Sequence, residues 1–366
     1  MKGEIVWTYV YDTGGELDLR RVGEIVQRTP AFERIEARLH APRNVSLPRP
    51  LALRFPASIR DTDHGRRSFE ASARIYSIGA VAVTIRTAFE AKDFGELRSL
   101  GTLQLVGMAG GEPVEAFARS LYDEVHRGLE GAIVEPYGVA MAAETYQVFC
   151  VTEPDVSAGS LLQKERRAMA ALLANEPDPA RLGPEEVEDN LRYWYRYYED
   201  DLVIADWDYA LVVEPTGRYE DTLFVMELAN LQLLELRTYD AYLDGVLDRA
   251  YEDLDRFHKP GGIFRSARDL QEDLSEARID LIRVSDDIDN IGKIFGDWYL
   301  AKLYLGLTQR FHLADWQRAL DSKLQALNGV YTIASHEVEH RRGVLLESMI
   351  VLLFVLDLVL LAVTAF

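Results

Sequence analysis

An apolar run at the end of the chain constrains everything placed before it. Residues Val344–Phe366 read VLLESMIVLLFVLDLVLLAVTAF. As one helix they extend roughly 34 Å, enough to cross a hydrocarbon core of about 30 Å. Asp357, near the middle, opposes insertion. From Ser348 to Phe366 there are 13 Leu, Ile, Val and Phe residues. Together they favour insertion by roughly 4–8 kcal/mol, against about 3 kcal/mol for one central Asp. The balance predicts a transmembrane anchor over 343–366. Arg341 and Arg342 directly precede it, and the positive-inside rule then leaves residues 1–342 in the cytoplasm, on a single-pass protein of the inner membrane. Met1-Lys-Gly-Glu-Ile-Val-Trp has no apolar signal-peptide core to compete with that orientation.

The other 343 residues have the make-up of a folded protein. Apolar residues are 48% and charged residues 27% of the 366, close to a globular average. Sixty Asp and Glu against forty Lys and Arg leave a net charge of −20. Such a surface repels phosphate backbones, so no direct nucleic-acid partner is expected. A single cysteine, Cys150, excludes an internal disulfide and a Cys-based zinc knuckle.

Residues 1–217 read as a mixed α/β cytoplasmic domain. Strand-like runs fall at Ile5–Tyr11, Ser68–Ala88, Thr145–Val151 and Leu202–Val213. Phe117, Leu121, Val125 and Leu129 recur at i+4 steps, as on one helix face. Four prolines between 41 and 64 predict a loop or extended arm. Gly107-Met-Ala-Gly-Gly111 lacks the spacing of a phosphate-binding loop.

Residues 219–342 read as a helical coiled-coil stalk. Leu236, Tyr239, Leu243, Val246 and Ala250 form one stripe, ended by His258-Lys-Pro-Gly-Gly262. A seam follows over Ala267, Leu270, Leu274, Ala277, Leu281, Val284, Ile288 and Ile291, with steps alternating 3 and 4. Leu320, Leu324, Leu327, Tyr331, Ala334 and Val338 then lead into the anchor. The fold class expected is therefore α+β: an α/β domain, a long helical stalk and one terminal span.

Leu346-Glu347 at the opening of the apolar run, with an acid ten residues on at Asp357, resembles the RMND/Rmd family, named for "required for meiotic nuclear division". Asp297-Trp298-Tyr299 followed by Leu303-Tyr304 is similar to that family's helix start, and Tyr76-Ser-Ile-Gly79-Ala-Val-Ala-Val83 to one of its strands. This chain has Asp for the family's second Glu and Ser348 where Trp is usual. The resemblance implies a membrane-anchored oligomer and does not imply an enzyme.

His336-Glu337-Val338-Glu339-His340 matches H-E-x-x-H, which on a helix places two imidazoles one turn apart for zinc. A catalytic zinc needs a third protein ligand, and the only acids downstream, Glu347 and Asp357, lie at or in the expected membrane span. Glu199-Asp-Asp201 and Asp206-Trp-Asp208 flank an expected strand, as a divalent-cation site or a solvated strand end. Tyr193-Trp-Tyr-Arg-Tyr-Tyr198 has the composition of a ligand cage and also of packing.

The reading assembled from these features is a non-catalytic, oligomeric scaffold or tether, without a cofactor. It uses the lipid bilayer, copies of itself and a protein partner. Glu347, Asp357, Arg341 and Arg342 serve membrane and oligomer contacts. Leu270, Leu274, Leu281, Val284, Ile288 and Ile291 serve the seam. Two other readings stand beside it. One is a divalent-cation conduit of CorA-like architecture, although the second span and the Gly-Met-Asn signature of those channels are missing. The other is a zinc metalloprotease using His336, Glu337 and His340.

Overall fold

The alternating apolar runs become strands of one large sheet. The computed structural model describes residues 1–28, 33–35, 50–107, 110–134, 142–258 and 298–364. The chain opens with β1 (Lys2–Asp12), β2 (Glu16–Leu17), α1 (Leu19–Arg28), β3 (Glu33–Ile35), β4 (Leu51–Arg54), β5 (Ser58–Thr62), β6 (Gly65–Tyr76) and β7 (Ala80–Glu90). It continues with α2 (Phe94–Gly101), β8 (Gln104–Gly107), β9 (Gly110–Pro113), α3 (Val114–Leu129), β10 (Ile133–Val134) and β11 (Glu144–Glu153). Next come α4 (Ala158–Lys164), α5 (Arg166–Leu173), α6 (Pro184–Asn190), β12 (Trp194–Tyr195), β13 (Leu202–Ala205) and β14 (Tyr209–Val213). Then follow α7 (Glu220–His258), α8 (Trp298–Arg310) and α9 (Leu313–Thr364).

Two expected strands are in fact hairpins. The run Ser68–Ala88 folds back at Gly79, whose φ of 95° suits only glycine and whose Cβ, in any other residue, would lie 2.3 Å from the Gly15 carbonyl oxygen. The run Leu202–Val213 turns at Asp206–Asp208, so the two acids sit in a turn and not along a strand. The expected arm over 41–64 holds β4 and β5, because Leu51, Ala52 and Leu53 find a buried partner in β6.

The sheet runs in the order β12-β13-β14-β11-β1-β7-β6-β5-β8-β9, with β4 on β6 and β3 on β4. Its pairings are antiparallel except β11 with β14, which the chain joins through a helical crossover over α4–α6. The central strand β1 is buried on both faces. Ile5, Trp7, Tyr9 and Tyr11 point one way, and pack with Leu97 of α2, Leu121 and Val125 of α3, and Met169 of α5. Val6, Thr8 and Val10 point to the other face, the one that carries α7. That helix is buried on every side from Thr222 to Leu236, its polar Glu227, Asn230, Gln232 and Glu235 included.

The chain divides into two compact units, Met1–Thr238 with Asp286–Trp316, and Tyr239–Ser285 with Gln317–Phe366. The first holds the sheet and the opening half of α7. In the second, Val246, Leu247 and Ala250 of α7 pack on Leu327 and Val330 of α9. Lys323, on the same side of α9 as Leu320 and Leu327, reaches Asp240 at 2.6 Å and Asp244 at 2.7 Å. A charged pair inside a helix seam sets its register. The expected seam over Leu270, Leu274, Leu281, Val284, Ile288 and Ile291 lies outside the described residues.

The fold is thus mixed α+β, with a large sheet and several helices. As for the expected span over 343–366, no helix among the described residues is long and apolar enough to cross a membrane.

Candidate functional site

A line of ion pairs fastens α7 to the sheet. Arg74 of β6 and Arg86 of β7 project from the face that α7 covers. Arg74 pairs with Glu227, and Arg86 donates to Glu220 at 2.5 and 2.8 Å. Glu227 also accepts from the Tyr76 hydroxyl at 2.6 Å, while Tyr219 donates to Glu4 of β1. The charge of Glu227 holds the Arg74 guanidinium above its ordinary value, and burial pushes the Tyr76 hydroxyl well up. Hydrogen bonding from Arg86 lowers Glu220. Cys150 lies behind this line; burial raises its thiol well above the usual range, so it is a packed apolar side chain and not a nucleophile.

Two of the acids around 199–208, Asp201 and Asp206, are also engaged. Asp201 accepts the backbone N–H groups of Tyr197 and Tyr198 at 2.8 and 3.1 Å. Asp206 is 4% exposed and pairs with Arg310, which also reaches Asp189 at 2.8 Å. Burial raises the Asp206 carboxyl and Arg310 partly offsets that rise. A salt-bridged acid is not an open cation ligand. Among the described residues no group of three or more His, Cys, Asp or Glu side chains is placed to hold a metal ion.

The aromatic run around 193–198 builds no closed cage. Tyr195 is buried against α8, where a Cβ at Gly306 would meet its hydroxyl at 1.6 Å. Trp194, Tyr197 and Tyr198 remain exposed. Tyr197 packs edge-on against Tyr198 and Tyr299, at centroid distances of 4.7 and 5.6 Å.

The expected membrane and metal residues all fall on α9. His336, Glu347 and Asp357 are exposed on it. The side chains of Arg341, Arg342, Glu337 and His340 lie outside the described ones. Leu346, Met349 and every residue from Ile350 to Leu356 are more than half exposed, with Phe354 at 72%. Ser348 satisfies its hydroxyl within the helix, donating to the Val344 carbonyl at 2.7 Å.

These features describe a sheet domain tied together by buried ion pairs, followed by helices that carry the exposed apolar row. Residues 2–220 match the family model described as "Uncharacterized protein MJ0711, N-terminal domain", and the chain belongs to that family. It is similar to the uncharacterized protein MJ0711 of Methanocaldococcus jannaschii, at 27% identity over 231 residues, which is 62% of this chain and 68% of that protein. No solved structure matches the chain.

Proposed function

We propose that this chain is a non-catalytic, membrane-anchored scaffold that self-assembles and presents its α/β domain to a protein partner on the cytoplasmic side. One observation carries the reading: within the row 344–356 of α9, Val344, Leu346 and residues 349–356 are apolar and exposed, around the whole helix. Contiguous apolar surface of that kind is covered by lipid or by another protein. The row by itself is about 20 Å of helix. The sequence stays apolar from Leu358 to Phe366, and row and continuation together reach the roughly 30 Å of a bilayer core. An internally satisfied Ser348 suits lipid, where every polar group needs a partner. The RMND/Rmd resemblance implies the same architecture, an anchored oligomer. No side chain is assigned a catalytic role in this reading, and no cofactor is needed.

Deleting 343–366 tests it. The full chain stays with membranes through a carbonate wash, and the truncated chain moves to the supernatant. A truncated chain that still sediments with washed membranes overturns the anchor.

A further inference from the structure

The carboxyl ends of β11 and β14 open into a cavity of about 400 Å³. These strands run parallel, and Val151 and Val213 stand side by side where the pairing ends. Beyond that point their connections leave to opposite faces. The chain after β11 passes through α4 and α5, which pack on the face of Ile5 and Trp7. The chain after β14 enters α7, which is tied to Arg74 and Arg86 on the other face. Connections that diverge in this way leave a crevice outside the strand ends, where open α/β sheets take their ligands.

The lining suits a small apolar body. Val151, Val213, Phe94 and Leu161 form its floor and are each at most 6% exposed. Gly95 and Ala168, both small, keep the walls apart. Protein interiors leave few voids larger than a water, and this volume falls in the range of small-molecule pockets. The mouth carries Lys92, Asp93, Asp155 and Glu165. Asp155 already meets an ammonium, the Met1 amine, at 3.0 Å, and Asp93 accepts the Glu96 N–H at 2.8 Å as the cap of α2. Three carboxylates against two cations leave the mouth net negative, with Glu165 the carboxylate that has neither duty.

We infer that this cavity binds a compact, mainly apolar molecule that is uncharged or carries one amine, and that it disfavours carboxylates. The inference stands apart from the membrane reading, since all lining residues belong to the sheet domain.

Benzylamine, benzyl alcohol and benzoate differ only in the head group and serve as probes. Each is titrated by saturation-transfer NMR against the full-length protein and against Ala168→Phe, which fills the cavity; partition into lipid or detergent is common to both proteins and cancels. Benzylamine and benzyl alcohol bind saturably, benzoate about tenfold more weakly, and Ala168→Phe removes the binding. Glu165→Gln brings benzylamine down to the level of benzyl alcohol. If the circular dichroism of Ala168→Phe shows a lost fold, Ala168→Leu replaces it. Absence of saturable binding by any probe, benzoate binding as tightly as benzylamine, or unchanged binding in a folded cavity-filled variant each overturns the inference.

Discussion

The Tyr76 hydroxyl donates a 2.6 Å hydrogen bond to Glu227 across 151 residues of chain, on the carboxylate that also receives Arg74. Glu227 is 3% exposed, and a guanidinium and a hydroxyl take the place of water around its carboxylate oxygens. Glu227→Ala strands Arg74 without its counter-charge and lowers unfolding stability by about 3–5 kcal/mol. Urea titration followed by far-ultraviolet circular dichroism measures it. A loss below 1 kcal/mol would show that the Arg74–Glu227 pair does not fasten α7.

The neighbouring pair predicts a pH dependence. Arg86 lowers Glu220 below its ordinary value of 4.5. A depressed carboxylate stabilises the fold fully above its unfolded value, and that contribution disappears as pH falls through the folded value. The Glu220 side chain is 56% exposed, so solvent holds the effect to under about 1 kcal/mol. Glu220→Gln is therefore slightly less stable than the parent at pH 7, and the two converge as pH falls below 4.5 and through the lower folded value. A difference that grows on acidification contradicts the assignment.

Gly306 predicts a clash. A Cβ there lies 1.6 Å from the Tyr195 hydroxyl and 2.7 Å from its ring carbon Cζ. Alanine normally improves a helix by about 1 kcal/mol over glycine. Here Gly306→Ala costs about 1–3 kcal/mol through overpacking, and Tyr195→Phe in the same protein recovers part of that loss. Thermal unfolding of the single and double variants decides it; a more stable Gly306→Ala would mean that α8 does not press on Tyr195.

The histidine pair is expected to be helix surface. His336 is exposed, and two ligands do not make a catalytic zinc site. Zinc measured by atomic absorption stays at background in the purified protein and in the His336→Ala, His340→Ala double variant. Stoichiometric zinc that the double variant loses would establish a metal centre.

Asp357 tests self-assembly, given the anchor. A lone acid at mid-bilayer costs about 2.5–3.5 kcal/mol and turns toward other helices or water. With one span per chain, those helices come from other copies or from a partner. Glu347 lies about 80° away around the helix, within one broad face. Asp357→Leu changes the oligomer distribution of detergent-purified protein or lowers its thermal stability. An unaltered oligomer of equal or higher stability would place Asp357 on the lipid side.

Sequence alone determined the local elements. Runs rich in β-branched and aromatic residues mark β1 and β11, the i+4 row Phe117, Leu121, Val125 and Leu129 marks α3, and the long helical stretch after Tyr219 is plain from its composition. These are legible because pleat and helix periodicity act over a few residues, where backbone geometry dictates which side chains share a face. The terminal apolar row is legible in the same way. The candidate site residues on α9 were visible as residue types, but their exposure was not. Only the tertiary structure decided that β14 lies parallel beside β11, and that this pairing opens a cavity at Val151 and Val213. It also decided that α7 is covered on every side through Leu236, although its stripe reads as the start of a stalk. Asp206 and Arg310 meet only there too. Closing a chain between distant residues costs entropy that grows slowly with loop length. Many pairings are therefore nearly equal locally, and the choice among them falls to packing and charge in the assembled fold.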